Sequence, residues 1–222
     1  LVNIVTLKIA HAKVWLSEGS FYAATHSPAM EKIRERNIQE PFRVATIADE
    51  RTGLRPTLAN MNGFETIDGD INIASKRYVE FFKAIARDPA IEPKHSFYFM
   101  WQASDDERAQ AAKDADVLLN PALLSLANVR FLLSPFPVTL TGFQLIHAPV
   151  EVVGNNPSFK EAWHRNTRGR DLFLYENSEV FSRVFSVSST AETTITAYTD
   201  REVRISTKSD SPFVLVLTNN YN

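Results

Sequence analysis

The chain contains no cysteine, which excludes disulfides, thiolate nucleophiles and cysteine-ligated zinc. The compartment stays open, since bacterial proteins on either side of a membrane can lack the residue. Charge of either sign is not in excess: 24 Lys and Arg stand against 26 Asp and Glu, a formal net charge of −2. Recognition of a phosphate backbone demands a basic face, so no nucleic acid is expected as a partner. A long apolar run is missing as well. The most hydrophobic region, 117–143, is interrupted by Asn120, Pro121, Asn128, Arg130, Pro135 and Pro137, and falls short of the ~20 apolar residues a membrane-spanning helix requires. The opening Leu1-Val2-Asn3 has no Met and no basic, apolar, small-residue order of a signal peptide, which reads as a piece processed or excised from a larger protein.

Catalytic signatures are equally scarce. The five histidines, His11, His26, His95, His147 and His164, show no HExxH or other ligand spacing, and no GxSxG or phosphate-loop pattern occurs, so each reads as structural or exposed. There is no internal repeat and no low-complexity tract.

What is present is an ordinary globular composition, 44% hydrophobic over 222 residues, long enough to bury roughly 70% of its unfolded surface without a metal or disulfide staple. Ser27-Pro28 predicts a helix N-terminus and a short charged helix to Asn37. Pro41 stops it, 42–48 alternates like a strand, and 52–62 has the composition of a loop. Ser75 caps a second helix to about Arg87, with Val79, Phe82 and Ile85 at helical spacing. Residues 97–101 (FYFMW) read as a buried strand. Ser104 with Glu107 forms a capping box opening a helix to about Ala115, Asn120-Pro121 starts a short helix, and 129–134 is a strand. From Phe143 the pattern turns to short β runs at 143–147, 172–175, 180–187, 193–199, 202–207 and 213–218, around a polar insertion at 154–170. The expected fold is α+β: one domain, helices mainly in its N-terminal half (1–142), and a mainly antiparallel β C-terminal third (143–222).

Two constellations are candidate sites. Asp68-Gly69-Asp70-Ile71-Asn72 places oxygen side chains alternately on a turn, a pattern that could hold a hard divalent cation such as calcium through Asp68, Asp70 and Asn72. It is no EF-hand, because Ile73 takes the glycine position and Val79 the final glutamate position; a plain polar turn ahead of a helix explains it as well. The insertion carries Lys160, Trp163, His164, Arg165, Arg168 and Arg170, a basic cluster suited to anionic headgroups, a lipid-linked phosphate or an acidic glycan, against the alternative of a solvated loop.

Several short stretches, taken in order, resemble the soluble segment of YfhO-type bacterial membrane proteins. Pro41-Phe42-Arg43-Val44, then Asn60 to Gly69 (NMNGFETIDG) and Lys76-Arg77-Tyr78 are similar to the "FRV", glycine-turn and "RY" sequence of that family. Leu123 to Leu133 (LLSLANVRFLL) is similar to its "LLnvrYll" signature. Leu174 to Ser178 (LYENS) with Ser182-Arg183-Val184-Phe185 is similar to "lyeNp...PRaf", although Ser182 replaces the usual proline, and 215–221 resembles the strand before the family's "YyPGW" turn. The resemblance spans about residues 41–221. It implies a polytopic parent similar to glycosyltransferases that use polyprenyl-phosphate sugars, anchored in the cell membrane, with this domain on the extracytoplasmic side. In such enzymes the catalytic carboxylate lies in a loop between early membrane helices, so this segment is expected to be non-catalytic. Its partners would be the membrane-embedded part of the same polypeptide and a lipid-linked sugar or cell-envelope glycan. The motif residues Arg43, Asn128 and Arg183 read as structural, since polar side chains beside apolar strands usually satisfy buried backbone or an ion pair. Two other expectations remain: a free-standing carbohydrate-binding or adhesion module, and a soluble hydrolase in which Asp68 and Asp70 converge with Glu80 or a histidine.

Overall fold

A computed structural model describes residues 27–48, 54, 56–70, 74–87, 96–100, 103–149, 171–187, 191–199 and 202–218. Helix α1 (Pro28–Glu35) begins at Ser27 with Pro28 in its first turn and buries Ala29, Met30 and Ile33 on one face. Proline suits that position because its fixed φ is already helical and its missing N–H costs no hydrogen bond there. Strand β1 (Arg43–Thr46) follows, and all four of its residues are buried.

The 52–62 region departs from the expected loop: helix α2 (Thr57–Met61) forms inside it. Pro56 supplies helical backbone at its start, and burial of Leu58 and Ala59 against α1 and the sheet stabilises a segment whose composition alone would not. Short strands β2 (Glu65–Thr66) and β3 (Gly69–Asp70) lead to helix α3 (Lys76–Ala86), whose N-cap is Ser75; its hydroxyl accepts from the Tyr78 N–H. The expected strand at 97–101 is shorter than its composition suggests. Only β4 (Ser96–Phe97) pairs with β3, Phe99 makes a single bridge to Ile47, and Met100 turns the backbone left-handed at φ 56°. Trp101 lies outside the described residues.

Helix α4 (Asp105–Lys113) carries the capping box of Ser104 and Glu107 in full. A 3₁₀ turn at Ala115–Val117 and helix α5 (Pro121–Leu126), capped by the Asn120 side chain, complete the helical half. Asn128 then adopts φ 62°, a conformation asparagine tolerates better than most residues, and reverses the chain into β5 (Val129–Ser134).

Strands β6 (Phe143–His147) and β7 (Phe173–Asn177) finish a five-stranded sheet of order β2-β1-β5-β7-β6. β1 runs parallel to β2 and β5, whereas β7 is antiparallel to β5 and β6. Alternate residues separate onto two faces. Ala45, Ile47, Leu132 and Tyr175 pack with Phe82, Ile85, Phe97, Phe99, Ala111 and Leu124 of the α3, α4 and α5 side. Val44, Phe131, Leu133 and Leu174 pack with Ala29, Met30, Ile33 and Leu58 of the α1 and α2 side. Covering both faces explains why β1 is buried at all four positions and β5 at every position but Arg130.

The remaining strands are antiparallel: β8 (Val184–Ser186) with β11 (Leu215–Leu217), and β9 (Glu192–Tyr198) with β10 (Val203–Lys208). β9 alternates exposed and half-buried residues along most of its length, as a strand covered on one face should. The chain is thus α+β, with its helices in the N-terminal half and antiparallel strands toward the C-terminus.

Candidate functional site

β1 and β2 are in register so that Arg43 lies opposite Glu65. The Arg43 Nη1 donates to the Ala127 carbonyl at 3.0 Å, its backbone N–H donates to the Asn128 carbonyl, and its Nε sits 3.8 Å from Glu65 Oε2. Onto the same carboxylate oxygen comes Arg183 from the segment entering β8, donating through Nη2 at 2.5 Å. The other end of its guanidinium, Nη1, donates to the Thr218 carbonyl at 3.3 Å. Tyr198, the last residue of β9, hydrogen-bonds Glu65 and lies beneath the Arg183 guanidinium at 5.4 Å from its ring centroid, a cation–π geometry.

Two buried amides tie the α5–β5 turn to the segments beside it. Asn128 Nδ2 donates to the Phe181 carbonyl, and Asn177 Nδ2 donates to both Ser125 Oγ and the Val129 carbonyl. Arg43, Asn128, Asn177 and Arg183 are all buried. Their contacts agree with the expectation that Arg43, Asn128 and Arg183 satisfy buried backbone or an ion pair.

The electrostatics are unbalanced. Two buried guanidiniums share one carboxylate. Burial, and then the positive charge of Arg183, bring the Arg43 guanidinium down to about 10, with Glu65 acting in the opposite direction. The Tyr198 hydroxyl is raised by burial and by its contact with Glu65. Arg183 is 1% exposed, and its Nε finds no acceptor among the described residues. Beside it opens a cleft of about 390 Å³, lined by Gln39, Glu40, Ser182, Arg183, Thr194 and Tyr198 among others.

Asp68 lies elsewhere. It is 2% exposed and turned inward, where Oδ2 accepts the Thr46 N–H at 2.8 Å and continues the ladder beyond the last β2 residue. Its Oδ1 has no partner among the described residues. Burial pushes this carboxyl well above the usual carboxylate range, against the pull of the Thr46 hydrogen bond. The Tyr78 hydroxyl, itself raised by burial, donates to the adjoining Ile67 carbonyl. The Asp70 side chain and Asn72 lie outside what is described, so of the cation candidates only Asp68 is located, and Glu80 is exposed on α3. No cluster of three or more potential ligating side chains occurs among the described residues. Lys160, Trp163, His164, Arg165, Arg168 and Arg170 also lie outside the described residues. The ends of β6 and β7 that flank their segment are tied by His147 Nε2 and Asp171 Oδ1, 2.5 Å apart.

Glu65 is the cluster member that the sequence does not advertise. It lies inside the stretch 60–69, where nothing distinguishes it chemically from its neighbours, and only its approach to two distant arginines gives it importance. No helix among the described residues is long and apolar enough to cross a membrane. Compared with protein-family models, curated proteins and solved structures, the chain has no match.

Proposed function

We propose that this chain is a non-catalytic extracytoplasmic domain of a polytopic membrane protein resembling the polyprenyl-phosphate-sugar glycosyltransferases, assisting the handling of a cell-envelope glycan or acceptor. The observation that supports this reading is spatial. Arg43, Glu65 and Arg183 come from separate stretches that carry the YfhO-type resemblance, and they meet in one ion-pair cluster, to which Asn128 is joined through its carbonyl and the Arg43 N–H. Chance similarity of short apolar strings has no reason to select polar residues that meet in the folded chain. A fold alone assigns no activity; the binding role rests on the cleft beside Arg183. The basic residues from Lys160 to Arg170 are proposed to add anionic contacts at the membrane surface.

The exposed Phe181, paired with Phe185 at 5.1 Å between ring centroids, favours a second reading as a free-standing carbohydrate-binding module. The two rings are inclined at 48°, so they offer a sugar face less than a flat platform would. The hydrolase reading loses ground because Asp68 is sealed inside and engaged by Thr46.

The test is a hydropathy profile of the full-length gene product with a ~19-residue window. An array of membrane spans on the same polypeptide supports the proposal. A product without any spans overturns it in favour of the free-standing module.

A further inference from the structure

We infer that the open edge of β9 takes an added strand from a partner polypeptide, an extended segment that carries a lysine or arginine. This deepens the proposed handling of a glycan or acceptor, and rests on that reading of the cleft, by naming a polypeptide as the partner. The peptide titration below reads the cleft and the hydropathy profile reads the parent, so the failure of one is distinct from the failure of the other.

β9 pairs with β10 along one edge, and among the described residues no strand pairs with its other edge. The cleft of about 390 Å³ touches all of residues 193–198 and no residue of β10. Successive side chains of a strand point to opposite faces; along β9, Thr194 and Thr196 are exposed, whereas Thr193, Ile195 and Ala197 are half-buried. A cavity that meets both sets and misses β10 runs along the edge turned away from β10. Among the described residues, no backbone hydrogen bond joins 193–197 to any segment other than β10. β8 comes near, but through the Thr193 hydroxyl, which donates to the Val184 carbonyl at 3.5 Å, and not through a ladder. An edge strand presents the N–H and C=O of alternate residues outward, a row that another extended chain matches.

In strand addition the main chain supplies affinity and the neighbouring side chains supply choice. Glu40 lines the cleft, is exposed, and makes no ion pair among the described residues. Arg183 also lines it, but its side chain is buried and engaged by Glu65 and the Thr218 carbonyl, so its charge is not offered to a partner. Glu192, at the start of β9, stands opposite Lys208 across the hairpin. The accessible charge of the cleft is therefore negative, which favours a cationic side chain on the incoming strand and opposes an acidic one. The threonines along β9 suit β-branched neighbours across the new pairing.

The experiment is an NMR titration of the 222-residue chain at constant pH and ionic strength with the capped hexapeptide Thr-Val-Lys-Val-Thr-Val. Two controls are its counterpart with Glu in place of Lys and the Lys peptide N-methylated at every backbone amide. The Lys peptide should shift the amides of 193–197 and slow hydrogen exchange at alternate residues among them. The Glu peptide should bind about fivefold more weakly, and the methylated peptide should not bind. Glu40→Gln, on an exposed side chain, should leave the shifts at 193–197 in place and abolish the difference between the Lys and Glu peptides. The inference is overturned if these amides do not move with the Lys peptide up to about 5 mM, if the methylated peptide binds as well, or if the parent chain fails to prefer Lys over Glu. Movement of the same amides with protein concentration alone would give the edge to a second copy of the chain and overturn the basic partner.

Discussion

Arg183 and Glu65 are 118 positions apart in sequence and meet at 2.5 Å, tying the approach to β8 onto the edge strand of the main sheet. A fully buried guanidinium on a half-exposed carboxylate stabilises less through its gross Coulomb energy than through the cost of leaving one partner unpaired. Arg183→Met should lower stability by about 3 kcal/mol. In a double-mutant cycle with Glu65→Gln, urea denaturation should give a coupling of about 1–2 kcal/mol, the double variant losing less than the sum of the singles. Strict additivity would mean that the contact contributes nothing.

Asp68 gives a pH dependence with a definite sign. Its folded-state pKa is raised by burial, so below the ordinary carboxylate range both folded and unfolded states are protonated and stability is fully present. As pH rises above that range, the unfolded state releases its proton while the folded state retains it, and stability falls until the raised folded value is passed. Asp68→Asn keeps an acceptor for the Thr46 N–H and removes the ionisation. It should be more stable than the parent by about 1 kcal/mol at pH 8, with the advantage shrinking toward pH 4. Urea melts at the two pH values measure this. A rise in Tm with calcium that Asp68→Asn abolishes would instead assign the unpartnered Oδ1 to a cation.

The capping box of α4 predicts the opposite slope. Hydrogen bonds from the Ser104 backbone and side chain hold Glu107 below its usual range. Its contribution is therefore present above the ordinary glutamate range and is lost as pH falls through the depressed value. Ser104→Ala should cost about 1 kcal/mol at pH 7. The difference in urea midpoint between the parent and Glu107→Ala should narrow in acid.

Tyr175 supplies the acceptor for the buried Val138 N–H at 2.7 Å, fastening the β5–β6 connection to β7. Tyr175→Phe preserves the ring and strands that N–H, at a cost of about 1–2 kcal/mol. Hydrogen exchange at Val138 should accelerate more than at the neighbouring β5 amides.

Elements with sharp local signals were legible from the sequence. Ser75 and Ser104 cap where their side chains find N–H groups, and β5 and β6 occupy the residues expected of them. Helix α2 was hidden because its stability comes from burial of Leu58 and Ala59, and β4 ended early because Met100 takes a left-handed turn that no residue type announces. Sequence periodicity also could not show that β1, β2 and β5 are parallel neighbours, since pairing is decided by contacts between distant segments. The candidate site was half legible: Arg43 and Arg183 stood out in their motifs, whereas Glu65, which joins them, became visible only in the fold.

The most direct measurement of the central proposal is the location of this domain in the intact cell. The full-length product, detected by an antibody to this chain, should remain in the membrane fraction after a high-salt wash and be cleaved by protease added to unlysed spheroplasts. Release into the soluble fraction, or protection from external protease until the cells are lysed, would contradict the assignment to the extracytoplasmic face of a membrane protein.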